Sequence, residues 1–90
     1  PLYWASENGH VEVVKALLAA EADVEKANDW GQTPLLVASS GGHVEMGKTL
    51  LAAKADVNKA NNADQTPLSR ALRFNHTEIV ALLRAAGATE

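Results

Sequence analysis

The sequence predicts an all-α fold made of stacked helical repeats, and similarity at a spacing of 33 residues is the main reason. Residues 1–33 and 34–66 are identical at 21 positions, and residues 34–57 and 67–90 are identical at 9 of 24. A period of this length is typical of a helical unit that buries its apolar face on the next copy. We therefore expect three units in a single domain, with the last unit the most altered.

Each unit is predicted to open with a short helix. The dipeptide Thr-Pro at 33–34 and 66–67 places a capping hydroxyl before a proline at the first helical position, where the missing N–H costs nothing. Two glycines at 41–42 should end the helix of the middle unit, which gives expected limits of Pro34 and Ser40.

A second helix is predicted directly after the first. In the first unit a Val-Val pair at 13–14 and a Leu-Leu pair at 17–18 lie three to four residues apart, as on one face of an α-helix. The equivalent helices are expected near residues 44–53 and 77–86. Each second helix should bury these apolar pairs.

Turn-forming residues follow the second helices. The segments 23–30 and 56–63 contain several Asp and Asn residues, which favour tight turns because their side chains bond to nearby backbone. We interpret both segments as hairpin-like loops that project between units.

Together these residues resemble the ankyrin repeat, whose hallmark is Thr-Pro-Leu-His-x-Ala. The Thr-Pro-Leu opening, the Gly-His junction, the paired leucines and the Ala-Asp-Val ending recur at one spacing over essentially the whole chain, residues 1–90. The resemblance implies a solenoid of antiparallel helix pairs with projecting β-turn fingers, used chiefly for binding proteins. It places the repeats at 1–30, which is truncated at its N-terminus, at 31–63 and at 64–90.

Several positions depart from the family pattern. Glu21 and Lys54 occupy the place where the family usually has Gly after the second helix, as Gly87 does here, so a non-glycine residue is expected in a left-handed turn. Gly47 replaces a core valine, which costs about 1 kcal/mol of helix propensity before any lost packing. The middle unit is expected to be locally weak.

The third unit has polar residues where the others are apolar. Arg70, Thr77 and Arg84 stand at positions held by Val37, Val44 and Leu51 in the unit before. Terminal repeats of a stack need a polar outer face. The third unit is therefore interpreted as cap-like.

Composition narrows the classes of function. The net charge is −3, and residues 1–30 carry six acids against two lysines, so a basic stripe for nucleic acid is missing. No apolar run is long enough for a membrane helix, and there is no cysteine. We expect a monomeric, intracellular interaction module without cofactors. Because the first residue is Pro1, it looks like a piece of a longer chain.

The segment Gly42 to Thr49 matches the phosphate-binding pattern G-x-x-x-x-G-K-[ST] and invites a nucleotide-binding interpretation through Lys48 and Thr49. That motif functions as a loop between a strand and a helix, which the repeat does not provide. Only Gly47 and Thr49 of the pattern differ from the preceding repeat. We interpret the match as a product of the repeat.

Histidines recur at the same repeat position and do not predict a metal site. His10, His43 and His76 are 33 residues apart, so they should form a ladder along the stack and not converge on one ion. Each imidazole is expected to bond to backbone of a neighbouring unit. No serine, histidine and acid combination indicates catalysis.

The resemblance also implies which surface binds a partner, namely the finger tips and the exposed side of the first helices. An exposed aromatic ring is typical of interface anchors, so Trp30 at a finger tip is a candidate together with Arg73 and Phe74. The alternative is that the Trp30 ring lies on the neighbouring finger. The proposed partner-binding residues are Glu7, Asn8, Asp29, Trp30, Gln32, Ser40, Asn62, Gln65, Arg73 and Phe74.

Two other functions remain open from the sequence. One is a structural spacer within a longer ankyrin array, and the other is a nucleotide-binding enzyme that uses the segment from Gly42 to Thr49. The identity of a protein partner cannot be derived from the repeat, because surface substitutions define it.

Overall fold

The computed structural model describes residues 10–20 and 23–89. These residues contain five helices. No strand occurs within those two ranges. The all-α fold class is confirmed. The helices are α1 (Val11–Ala19), α2 (Pro34–Gly41), α3 (Val44–Ala52), α4 (Pro67–Arg73) and α5 (Thr77–Ala85).

The helices lie in two rows. Helices α2 and α4 pack side by side in one row, and α1, α3 and α5 form the other, with α3 against both of its neighbours. Within each repeat the first helix also packs on the second, α2 on α3 and α4 on α5. The apolar core therefore continues from one repeat to the next between the two rows.

Threonine caps start both described first helices, as predicted. Thr33 Oγ1 accepts a hydrogen bond from Leu36 N at 3.2 Å, and Thr66 Oγ1 accepts one from Ser69 N at 3.1 Å. Ser69 Oγ accepts in return from Thr66 N at 2.9 Å, which completes a capping box. The predicted limits of α2 differ from the observed ones by a single residue at the C-terminal end.

A left-handed turn links the two helices of each described pair. Gly42 has φ 70° and Asn75 has φ 59°. The turn lets His43 N donate to Ala38 O at 2.9 Å and His76 N donate to Ala71 O, one turn back in the preceding helix. The first helices are short because this reversal follows them directly.

Lys54 confirms the expected left-handed residue after the second helix. Its φ is 68°, and its equivalent Gly87 has φ 97°. Lys54 therefore adopts a backbone conformation that glycine adopts at lower cost. Glu21, for which the same turn was expected, lies outside the described residues.

The predicted apolar face of α1 is only partly buried. Val14 is fully buried, whereas Val13 is 45% exposed, so the expectation that the whole valine pair is buried is wrong. The residues equivalent to Val13 in the other two repeats, Met46 and Ile79, are fully buried. Ile79 contacts α3 of the repeat before it, and Val13 occupies the matching side of α1, toward the N-terminal end of the stack.

Gly47 does not leave the packing defect that the sequence suggested. A Cβ at Gly47 would lie 3.1 Å from Ile79 Cδ1 and 3.3 Å from Leu82 Cδ2. The space of a missing valine is thus filled by aliphatic side chains of α5, and Gly47 is itself buried. The cost of glycine in a helix interior remains a prediction, but the cost of a cavity does not apply.

Candidate functional site

The two described fingers, residues 26–32 (finger 1) and 59–65 (finger 2), are each closed by an asparagine. Asn28 Oδ1 accepts from Trp30 N and from Gln32 N, both at 3.0 Å, and Asn28 Nδ2 donates to Gln32 Oε1 at 3.1 Å. A backbone bond from Asn28 N to Gln32 O adds a fourth. Asn28 thus takes part in all four bonds that close the turn.

Finger 2 repeats the same bonds. Asn61 Oδ1 accepts from Ala63 N at 2.9 Å and Gln65 N at 3.0 Å, while Asn61 Nδ2 donates to Gln65 Oε1 at 2.9 Å. Gln32 and Gln65, both predicted to contact a partner, therefore use their amide oxygens within the fingers. The Asn residues expected to form turns in segments 23–30 and 56–63 include Asn28 and Asn61, but neither was predicted to close a finger. Their recurrence at the 33-residue spacing, each with a glutamine four residues later, was a usable signal.

The fingers are joined through Asn62. Its backbone N donates to Trp30 O at 2.9 Å, and its Nδ2 donates to Asp29 O at 3.1 Å. Asn62, another predicted contact residue, thus holds finger 2 on the backbone of finger 1. These bonds fix the relative position of the two tips.

A groove runs along the fingers and contains the largest exposed ring of the described residues. Trp30 is 69% exposed, so folding does not account for its size. The groove has a volume of about 310 Å³ and no charged residue in its lining, which is Trp30, Gln32, Asn61, Asn62, Ala63 and Gln65. Four residues predicted from the sequence are therefore brought together here.

Acidic side chains stand at the finger tips beside this groove. Asp29 precedes Trp30, and Asp64 follows Ala63 with φ 60°; both are exposed. The tip segments 29–31 and 62–64 contain no lysine or arginine. The tips therefore present negative charge around a neutral groove.

A second group of predicted residues lies where α2 and α4 end. Phe74 is 45% exposed, and the Arg70 guanidinium carbon lies 4.8 Å from its ring centroid. Arg70 Nε donates to Ser40 Oγ at 3.3 Å. Arg70 thus reaches back to the preceding repeat, so its predicted place on the outer face of a cap is wrong.

The remaining predicted positions have different outcomes. Arg73, in the last turn of α4, is exposed next to Phe74. Glu7 and Asn8 lie outside the described residues. Sequence reasoning missed the contribution of Arg70 to this group, and the signal for it was a charged residue at the position of Val37, which is 8% exposed.

A family comparison decides how the repeats are classified. A model of ankyrin repeats (3 copies) matches residues 1–89. The chain belongs to the ankyrin-repeat family. Ankyrin repeats are generally protein–protein interaction modules and are typically not enzymes. A search of curated proteins found no match.

The predicted bond from an imidazole to the backbone of a neighbouring repeat is observed for His76 of this ankyrin domain. His76 Nε2 lies 2.9 Å from Ser40 O, a bond that joins the third repeat to the second. No group of three or more metal-binding side chains occurs in the ranges 10–20 and 23–89. Within the same ranges no helix is long and apolar enough to cross a membrane.

The phosphate-binding pattern does not form a loop in this ankyrin domain. Residues 44–49 are helical and belong to α3. Lys48 Nζ lies 3.4 Å from Glu45 Oε1, and Thr49 Oγ1 donates to Glu45 O at 2.9 Å. Gly47 N donates to His43 O at 2.9 Å in the first turn of α3. The segment therefore lacks the strand-to-helix loop in which successive backbone N–H groups surround a phosphate.

Proposed function

We propose that the chain binds another protein through a surface formed by the finger tips and the exposed side of the first helices α2 and α4 as far as their C-terminal ends, here called the binding face. The observation that carries this proposal is the Trp30 ring, which is 69% exposed on a finger that needs no large side chain for its own fold. Exposed aromatic rings next to a groove are typical anchors of protein interfaces.

The rigidity of the fingers supports this assignment. Asn28 and Asn61 close the two turns, and Asn62 joins them. A partner therefore meets a surface whose backbone is already ordered, and the conformational entropy lost on binding is small.

Charge distribution indicates the chemistry of the partner. Asp29 and Asp64 make the finger tips acidic, while Arg70 and Arg73 make the opposite end of the binding face basic. A partner with basic groups toward the fingers and acidic groups toward α4 would be complementary, which speeds association and selects against wrong partners.

The experiment compares the proteins retained by the immobilised chain with those retained by the double variant Trp30→Ala/Phe74→Ala. An interface anchor contributes ~2 kcal/mol or more, and the double variant removes two candidate anchors, so we expect at least about a 30-fold weaker interaction for the retained partner. The matched control is Leu72→Ala, since Leu72 is 40% exposed but lies in a different surface depression, beside Val80 and Arg84.

If the folded double variant retains the same proteins as the unaltered chain, the proposed binding face is wrong. A structural spacer would then be the favoured function. Nucleotide binding is tested separately by calorimetry with Mg-ATP. We expect no saturable heat, and saturable binding that Lys48→Ala abolishes would contradict the interaction module as the function.

A further inference from the structure

Three residues at the C-terminal end of α4 are larger or more charged than their equivalents in the repeat before. The equivalent pairs are Val37 and Arg70, Ser40 and Arg73, and Gly41 and Phe74. Helix α2 forms with the smaller, uncharged residues of these pairs. The fold of a first helix therefore does not require the two guanidinium groups and the ring.

The side chain of Arg70 is held in one orientation by two contacts. Its Nε donates to Ser40 Oγ at 3.3 Å, and its guanidinium carbon lies 4.8 Å from the centroid of the Phe74 ring. A guanidinium has five N–H donors, and the bond to Ser40 uses one of them. Its two Nη groups form no hydrogen bond to a described residue, so their donors remain available to a ligand.

The two arginines are not neutralised by the part of the chain that the structure describes. Neither Arg70 nor Arg73 forms an ion pair with a described carboxylate. The segments 33–44 and 66–77, which comprise α2, α4 and the turns after them, contain no Asp or Glu. Arg70 is also half-buried, and a partly desolvated charge without a counter-ion is costly. This end of the binding face therefore favours an anionic ligand.

A phosphate monoester matches the pair of arginines better than a carboxylate does. It carries a charge of about −1.5 to −2 near pH 7 and three acceptor oxygens, so one group can neutralise two guanidinium groups. The planar fork of an arginine also fits a phosphate through two parallel hydrogen bonds. Because Ser40 and Phe74 already orient Arg70, little side-chain entropy is lost on binding.

We propose that Arg70 and Arg73 form an anion site that binds a phosphorylated serine or threonine of the protein partner, with the Phe74 ring contacting the residue beside it. Ser40 is a positioning residue, since it orients the Arg70 guanidinium from the preceding repeat. The inference rests on the proposed function, because the phosphorylated segment belongs to the protein that the binding face holds. The anion site is distinct from the groove at Trp30, whose lining contains none of these residues.

The test uses acetylated hexapeptides that carry phosphoserine, glutamate or serine between two leucines. Binding to the whole chain is followed by two-dimensional ¹H–¹⁵N NMR at constant ionic strength, because salt screens exposed charges. We expect saturable shifts of the amides of residues 70–76 and of Arg70 Nε–H with the phosphoserine peptide. The glutamate peptide should bind at least about 10-fold more weakly, and the serine peptide should give no saturable shift.

Variants separate the geometry of the site from its charge. Arg70→Lys keeps the charge but loses the fork, so we expect at least about 10-fold weaker binding of the phosphoserine peptide. Ser40→Ala keeps both guanidinium groups but removes the acceptor that orients Arg70, and binding should weaken about 3-fold. Ser40→Thr retains the hydroxyl and should restore it. The matched control Arg84→Gln removes an exposed arginine elsewhere on the third repeat and should change the affinity less than about 2-fold.

Each contrary result removes a stated part of the proposal. Absence of saturable binding by the phosphoserine peptide would overturn the anion site, and equal affinity of the glutamate peptide would overturn the assignment to phosphate. An equal loss of affinity in Arg70→Lys and Arg84→Gln would replace a defined site by general attraction to positive charge. A lower urea midpoint for Ser40→Ala with unchanged affinity would limit Ser40 to stability.

The proposed protein-binding function is tested apart from the anion site by the single variant Trp30→Ala. We expect it to weaken retention of the protein partner while the affinity for the phosphoserine peptide stays unchanged, because the ring lies outside the anion site. Failure of the peptide to bind, together with loss of the partner in Trp30→Ala, would remove the anion site and leave the binding face in place.

Discussion

The two fingers share one set of hydrogen bonds but carry different tips. In each, an asparagine bonds to two backbone N–H groups and to a glutamine four residues later. The tip of finger 1 is Asp-Trp-Gly at 29–31, and that of finger 2 is Asn-Ala-Asp at 62–64. Because the asparagine fixes the turn, the tip residues can change without loss of the finger.

This comparison separates residues that build the surface from residues that could recognise a partner. Asn28, Asn61 and the two glutamines are repeated and are engaged inside the fingers. Trp30 and Ala63 occupy equivalent positions but differ completely in volume. Substitutions in the first group should change stability, and those in the second group should change binding.

The largest expected effect is that of Asn61→Ala. Asn61 is 8% exposed and makes three side-chain hydrogen bonds, so its removal leaves two backbone N–H groups without an acceptor. We expect a loss of about 2–3 kcal/mol in the free energy of unfolding, measured by urea titration.

Two companion variants sharpen that result. Asn61→Asp keeps the acceptor for both N–H groups but loses the donor to Gln65, so we expect only about 1 kcal/mol. Asn28→Ala removes the same bonds from a more exposed site in finger 1 and should cost about 1–2 kcal/mol. If Asn28→Ala costs as much free energy of unfolding as Asn61→Ala, the greater burial of Asn61 does not add to its contribution.

A smaller effect is expected for Asn62→Ala. The substitution removes the exposed bond from Asn62 Nδ2 to Asp29 O but keeps the backbone bond to Trp30 O. We expect a loss of about 0.5–1 kcal/mol by urea titration. The control is Asp29→Ala, which changes the equivalent tip residue of finger 1 and should have almost no effect on the free energy of unfolding. A larger loss for Asp29→Ala than for Asn62→Ala would contradict the stabilising role of the Asn62 side chain.

The repeat period predicted much of this organisation. The Thr-Pro dipeptides located the starts of α2 and α4, because a cap and a proline at the first position act locally. The exposure of Trp30 also followed from its place in a turn. Such features depend only on residues that are close in the sequence, so they can be predicted from one sequence.

Contacts between repeats were harder to predict, because they depend on which side chain reaches which neighbour. The sequence predicts an outward-facing Arg70, yet Arg70 bonds to Ser40 in the repeat before. The sequence predicts lost packing at Gly47, yet Ile79 occupies the space beside it. The 33-residue pattern specifies equivalent positions but not the length and direction of the side chains that cross between them.

An effect on stability about as small as that of Asp29→Ala is expected for Trp30→Ala. The ring is 69% exposed, while the bonds that fix finger 1 involve the backbone of residue 30, which alanine retains. We expect a change within about 0.5 kcal/mol in the free energy of unfolding by urea titration. A loss above about 1 kcal/mol would mean that the ring packs on finger 2 and supports the fold. Trp30 would then belong with Asn28 and Asn61 among the residues that build the surface, and the two tips would differ in structure as well as in recognition.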